Sequence, residues 1–452
     1  MGLPVHLSTT DIEELGKEID AIRDEVMAKR GPSDRAYILK VIRVQRVLDF
    51  AARAAFLTCA FTLPEVGLLQ ASVAPVVSLS SLALGVALLA LAKTLENMEI
   101  AHNVMHAQWD WMHDPNIQSS SWEWDSLCPS ELWRHSHNVV HHTWTNVVGK
   151  DNDVGYAFLR VTPLQPWHVK FLPQTFWYVL LMVLFDWGVA VHDLDIEKLA
   201  HGQRSVASIV PLLQRIARKT PRMLLKDYVL WPALGALLVL PALVSTGGAV
   251  VSGLLTTYGT LLVGIWVANV LRNMWSSSVV FCGHFPRGVY HFTEQDLVGE
   301  TRSRWYVRQL LGSCNISGSK LLHILTGNLS HQIEHHLYPD MPSNRYAEVA
   351  PRIQALAARY GLPYHTGSFA QQLGRTLWTV WRFSFPGGEI AQPELAGRSA
   401  AAPSPTKRKL SASPGDTRPK ALGDASIVPT SRTVVAEAMR TRDVSAPAPR
   451  DH

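Results

Sequence analysis

Between Arg53 and Lys93 runs AAFLTCAFTLPEVGLLQASVAPVVSLSSLALGVALLALA, in which the one charged residue is Glu65. These 39 residues would measure about 58 Å as a single helix. A bilayer core is about 30 Å thick, so the stretch reads as two crossings joined at Pro64-Glu65-Val66-Gly67. A buried hairpin in a soluble protein is the alternative. Further out, residues 228–271 hold no charge in 44 positions, with Gly247, Gly248 and Gly253 at the turn, which gives a second hairpin. The apolar run 171–185 is too short for an untilted span and stops at Asp186. It reads as an interfacial or re-entrant helix near 171–190, with a fifth span as the lesser reading. The expected fold is therefore an all-α integral membrane protein with two transmembrane hairpins. Its four or so spans fall near 50–63, 73–92, 228–245 and 252–271.

Charge sets the expected orientation. Lys17, Arg23, Lys29, Arg30, Arg35, Lys40, Arg43 and Arg46 precede the first span, and neither hairpin turn carries Lys or Arg. By the positive-inside rule both termini and the central segment are cytoplasmic. Everything between and after the hairpins then forms a cytoplasmic helical cap.

That cap collects the histidines. The third group reads Ser330-His331-Gln332-Ile333-Glu334-His335-His336, the second His137-Asn138-Val139-Val140-His141-His142, and the first His102-Asn103-Val104-Met105-His106. Histidines four apart share a helix face, and imidazole is the commonest biological metal ligand. Eight of the chain's 19 histidines fall in these groups. One catalytic zinc takes about three protein ligands, so eight fit two ions better than one. Zinc, copper, iron and nickel all accept imidazole, while the absence of a thiolate disfavours copper(I) and iron–sulfur. In the third group helical periodicity favours Gln332 as the first ligand, whereas the parallel with the second group favours His331. We take His331, with Gln332 and Asn138 as amides beside the site. His284, just past the last span, is a candidate ninth ligand. Arg134 could meet an anionic headgroup or form a surface ion pair. His113, His135, His192, His201, His291 and His323 read as structural or solvent-facing.

Composition excludes other classes. Hydrophobic residues make up 47% and charged residues 17% of the 452. The net charge is +5, but residues 392–452 hold ten Lys+Arg against six Asp+Glu, so most of it sits in the tail. No basic stripe interleaved with aromatics marks a nucleic-acid face, so no nucleic-acid partner is expected. The four cysteines, at 59, 128, 282 and 314, lack CxxC spacing. No cleavable signal peptide is expected. The reading divides the chain into an amphipathic segment 1–46, whose helix is read as solvated with a membrane-surface or partner-docking helix as the alternative, a membrane domain 47–388, and a disordered tail 389–452.

The three groups and their flanks, Trp133-Arg-His-Ser-His-Asn-Val-Val-His-His-Thr-Trp-Thr-Asn146 and Gln332-Ile-Glu-His-His-Leu-Tyr-Pro-Asp-Met-Pro-Ser-Asn-Arg345, resemble the membrane fatty acid desaturases. The likeness is strongest to the actinobacterial stearoyl-CoA 9-desaturase branch, near the linoleoyl-CoA-type enzymes. It implies a non-haem di-iron centre, two iron ions with O₂ as co-substrate, acting on a long saturated acyl chain on coenzyme A or a lipid. Its product would be a cis double bond. Its ligands would be His102, His106, His137, His141, His142, His284, His331, His335 and His336. Some relatives carry a fused haem domain with a His-Pro-Gly-Gly motif. This sequence has none, which implies a separate electron donor, a ferredoxin-type or NADPH-dependent reductase. A di-iron hydroxylase of alkanes or lipids is the alternative enzyme, and a non-catalytic metal-binding or transport protein the alternative outside catalysis.

Overall fold

A computed structural model describes residues 7–200 and 202–387 of the chain. The expected tail at 389–452 and His201 lie outside the described residues. Helices dominate. The described strands are β1 (Asn315–Ser317) and β2 (Thr366–Ser368), paired in parallel with Asn315 opposite Thr366.

Helix α1 (Thr9–Ala28) opens on a capping box: the Ser8 hydroxyl accepts from the Asp11 amide, and the Asp11 carboxylate accepts from the Ser8 amide. The sequence reading took this helix as solvated. The structure corrects that, because Ile12, Leu15, Ile19, Ile22 and Val26 form one buried face, packed on α9 (Arg302–Leu311) and α11 (Tyr346–Arg359). Gly16 permits the approach, since a Cβ there would lie 2.2 Å from Ser303 Oγ.

Helix α2 (Pro32–Thr62) runs without a break past residue 46 and packs along α3 (Ala74–Met105). Helix α7 (Val206–Ser245) packs in turn on α8 (Val250–His284). Glycine makes these contacts close. Cβ atoms at Gly85 and Gly264 would press on the Phe56 ring, at 3.0 and 2.7 Å. Helices α3, α7 and α8 are each long and apolar enough to cross a membrane, at 32, 40 and 35 residues. Their outer faces bear Leu79, Leu84, Leu237, Val251, Leu255 and Trp266, all more than half exposed. An apolar surface of this extent belongs against lipid. Among the described residues α2 does not meet the same test, for Arg46, Asp49 and Arg53 break its middle. The run expected as an interfacial helix is split: α5 (Gln174–Val183) and α6 (Phe185–His192) meet at Leu184 with a 95° bend, and they would make a fourth span if taken as one.

Each long helix exceeds the roughly 20 residues a bilayer core needs, so each has turns to spare at one end. Helix α3 winds through a π-helical segment, Leu95–Ala101, into His102–Met105, and α8 ends at His284. The spare turns of α3 and α8 thus carry histidines. Buried ion pairs brace the base of this region: Lys93 with Asp227 at 2.6 Å and Asp125 at 3.1 Å, and Arg272 with Asp186 at 2.8 Å.

Candidate metal centre

The second histidine group lies on α4 (residues 130–144), whose middle, Arg134–His141, is π-helical. The wider winding lets the His137 and His141 rings stack 5.1 Å apart. The third group lies on α10 (Gln332–Leu337), held from behind by β1. Asn315 Oδ1 accepts from the Ile333 amide at 2.9 Å, while Asn315 Nδ2 and the Tyr364 hydroxyl donate to Glu334 at 2.8 and 2.9 Å. Burial pushes the Glu334 carboxyl up to about 7.

These elements assemble two sets of ring nitrogens. One is His102, His106, His137 and His335, and the other is His141, His284 and His336; within each set the nitrogens lie within 4.8 Å of one another. In the first, His102 Nε2 is 3.2 Å from His137 Nε2. In the second, His284 Nε2 is 3.2 Å from His336 Nε2. That is roughly the spacing of two donors on one ion, each about 2.0–2.1 Å from it. His142 stands between the sets, with ring centroids 4.7 Å from His106 and 4.4 Å from His336.

The donors suit metal ions. His106 Nε2, His335 Nε2 and both His142 nitrogens are buried without a hydrogen-bond partner. Buried polar atoms are rarely left without a partner, and a metal ion is the partner that an unpaired imidazole nitrogen suits. Burial also holds His106, His137, His142, His335 and His336 well below the usual imidazole range, so they are neutral, as a ligand must be. Acceptors on the far side of several rings fix the tautomer. Nδ1–H of His336 faces Gln309 Oε1 at 2.9 Å, that of His335 the Tyr346 hydroxyl at 3.2 Å, and that of His284 the Gly312 carbonyl at 3.2 Å. Each assignment leaves Nε2 as the free lone pair. His141 differs. Burial lowers its affinity for a proton, but Asp151 at 3.1 Å and Asp153 at 3.3 Å outweigh that and push it up to about 9.

Eight of the nine histidines expected as ligands come together, His284 among them. His331 does not. Residues Leu329–His331 form a 3₁₀ turn, and His331 has φ −103° and ψ 54°, so the regular helix begins one residue later. The His331 ring lies against His323 at 4.6 Å, outside both sets. Gln332 takes the place instead, its amide nitrogen 2.9 Å from His284 Nε2 and 3.1 Å from His336 Nε2. Asn138 is near the site, donating to the Met105 carbonyl and so tying the first two groups together. Arg134 donates to Ser119 O, Trp122 O and Ser130 Oγ, all neutral acceptors within the chain. The sequence reading missed Asp151, Asp153, Gln309 and Tyr346. Only the acids gave any signal, as a pair shortly after the second group.

Fold and site together define a helical membrane protein whose clustered histidines could hold metal ions. Comparison with known proteins agrees. The sequence model of the fatty acid desaturase family matches residues 74–368. The NADPH-dependent stearoyl-CoA 9-desaturase of Mycobacterium tuberculosis is 44% identical over 383 residues, covering 84% of this chain and 82% of that protein. The sn-1 linoleoyl-lipid 6-desaturase of Synechocystis is 26% identical over 62% of this chain and 74% of that one. Fatty acid desaturase 3 of Bos taurus is 36% identical over 115 residues, 25% of this chain and 24% of that one. The chain belongs to the fatty acid desaturase family and is an oxidoreductase.

Proposed function

We propose that this desaturase introduces a cis double bond into a long saturated acyl chain carried on coenzyme A, at the 9-position, with O₂ as co-substrate. The observation that carries the reading is the pair of buried, neutral imidazole sets at the ends of long apolar helices, in a chain 44% identical to a stearoyl-CoA 9-desaturase. His102, His106, His137 and His335 would hold one iron ion, and His141, His284 and His336 the other, with His142 between them and Gln332 completing the second set in place of His331. Bound iron would supply the redox chemistry that an unactivated alkyl C–H bond demands and that acid–base groups cannot provide.

The chain's own residues position and enclose. Asp151, Gln309 and Tyr346 each accept a hydrogen bond from the Nδ1–H of one imidazole and so aim its Nε2 inward. Beyond His284 lies an apolar wall of Tyr178, Leu181, Phe185, Phe281 and Phe285. This packed core keeps water from the oxidant. We place both termini and the site on the cytoplasmic side, with four spans formed by the apolar end of α2 and by α3, α7 and α8. In this arrangement the bent pair α5–α6 lies in the interface. Residues 47–388 are the desaturase domain, braced by α1. Electrons come from a separate NADPH-dependent or ferredoxin-type protein.

The test is the fatty-acid profile of a desaturase-null host expressing the full chain. New 9-monounsaturated acyl chains are expected. Acyl products that gain an oxygen instead would favour the hydroxylase reading, and an unchanged profile in cells holding the membrane-inserted protein would overturn both.

A further inference from the structure

The second histidine group is preceded by an aromatic pair that the reaction as described leaves unused. The Trp133 indole lies nearly flat on the His137 ring, with centroids 4.4 Å apart and planes at 21°. It also meets the rings of His102 and His106 at 5.2 and 5.7 Å. Three of the four donors of the first set therefore touch one indole. The next ring outward is Trp124, 5.6 Å from Trp133. Trp124 is itself buried, its indole N–H donating to the Cys128 carbonyl at 2.5 Å. It borders the surface through Glu123, whose half-exposed carboxylate accepts from its backbone amide, and through Lys219, 6.0 Å from its ring.

We propose that Trp133 and Trp124 are built-in reductants, which supply electrons to the metal site when dioxygen is consumed with no acyl chain in place. The inference rests on the desaturase reading above. Its balance follows from that reaction. Reduction of O₂ to two waters takes four electrons and four protons. The external donor gives two electrons, solvent two protons, and the acyl chain the remaining two of each. Without the chain, each indole gives one electron and later its Nε1 proton, and the pair replaces what the substrate would have given. Each neutral indolyl radical left behind then adds dioxygen and takes one further electron from the ferredoxin and one proton from water, which leaves a hydroperoxide on the ring.

Indoles suit this task better than the nearest phenol. The Tyr346 hydroxyl also touches a ligand, His335, at 3.2 Å. A phenol, however, gives up an electron readily only as its proton departs to a base. The Tyr346 proton points at the Tyr338 carbonyl, which is no base, in a fully buried site. An indole can lose the electron first, because its radical cation keeps the proton for a time, so the Trp124 N–H held by the Cys128 carbonyl does not block the step. Two rings then carry the oxidising equivalent away from the histidines that hold the metal.

The experiment uses the full chain, loaded with iron, in detergent. It is supplied with a small [2Fe–2S] ferredoxin, its NADPH reductase and air, with and without stearoyl-CoA, and its peptides are read by mass spectrometry. Without stearoyl-CoA, added oxygen should concentrate on Trp133 and Trp124 rather than Trp144, Trp275 or Trp305, and stearoyl-CoA should suppress it. Trp133→Phe, if it retains iron, should lose the Trp124 modification and gain oxidation at His137. If that variant fails to hold iron, Trp124→Phe should raise oxidation at Trp133. Modification spread evenly over the tryptophans, or Trp124 oxidation indifferent to Trp133→Phe, would overturn the proposal, as would unchanged Trp133 oxidation in Trp124→Phe. Desaturated product in the stearoyl-CoA arm without indole oxidation in the other sinks this inference alone, whereas absence of product counts against the desaturase reading.

Discussion

The two halves of the histidine site are built from the same side chain and are not equivalent. In the set of His102, His106, His137 and His335, the Nδ1 partners are neutral: the Asn103 amide behind His102 and the Tyr346 phenol behind His335. In the set of His141, His284 and His336, two carboxylates stand behind His141, and the Gln332 amide reaches both other rings. A carboxylate behind an imidazole raises the basicity of the ligating nitrogen. The second position therefore offers a more electron-rich bed for a cation than the first. One residue type yields two metal environments through what stands behind it.

The comparison can be broken most severely at a ligand. His335→Ala should abolish desaturated product in a desaturase-null host while the protein still reaches the membrane fraction, and His141→Ala should do the same. Wild-type product from either would dissolve the two sets. Asp151→Asn should act on the second set alone, lowering its metal affinity about 10–100-fold. Iron retained per protein under graded chelator reads this, and equal loss of both ions would erase the distinction between the sets.

Proton competition sharpens it next. With its pKa raised to about 9, His141 in the metal-free protein stays protonated at neutral pH. The ion pair with Asp151 and Asp153 stabilises the metal-free fold fully below pH about 6.5, and that stabilisation is lost as pH rises through about 9. Metal must displace the proton, so affinity at the second set should climb up to about tenfold per pH unit until pH about 9. Affinity at the first set, whose His137 and His335 are already neutral, should stay flat between pH 7 and 9. Metal titrations at several pH values distinguish the two, and parallel slopes would contradict the assignment.

Smaller effects come from the third group. Gln332→Leu should reduce iron content and product together, whereas His331→Leu should leave iron content unchanged. The reverse order would restore His331 to the site. Smallest of all at the metal, Tyr346→Phe removes the acceptor behind His335, worth about 1 kcal/mol and seen as a slightly weaker hold on the first ion, together with the bonds of that hydroxyl to Gln108 and the Tyr338 carbonyl.

Much of this was legible in the sequence. The apolar runs announced long membrane helices, and the i,i+4 spacing with doubled histidines announced their clustering. What failed had physical causes. His331 was assigned on the assumption that the helix already included it, but the 3₁₀ turn at Leu329–His331 moves the start to Gln332. The π-helical winding at Arg134–His141 changes which histidines share a face, and no propensity marks it. Gln309 and Tyr346 serve the site from helices more than 160 residues beyond the second group, so only tertiary structure shows them. Helix α1 reads as a solvated helix because its apolar stripe is narrow, and its partners lie near the other end of the described chain.

That long-range packing also sets a schedule for synthesis. Tyr338, two residues past the last histidine of the site, donates its hydroxyl proton to the Ile19 carbonyl of α1, and Arg23 reaches Asp340. Helix α1 must therefore wait for residues 319 positions further along the chain before its apolar face is covered. The metal sets cannot close earlier, since each needs a ligand from α10. Any metal that the two sets hold would therefore be enclosed only after the long apolar helices of the chain have been made.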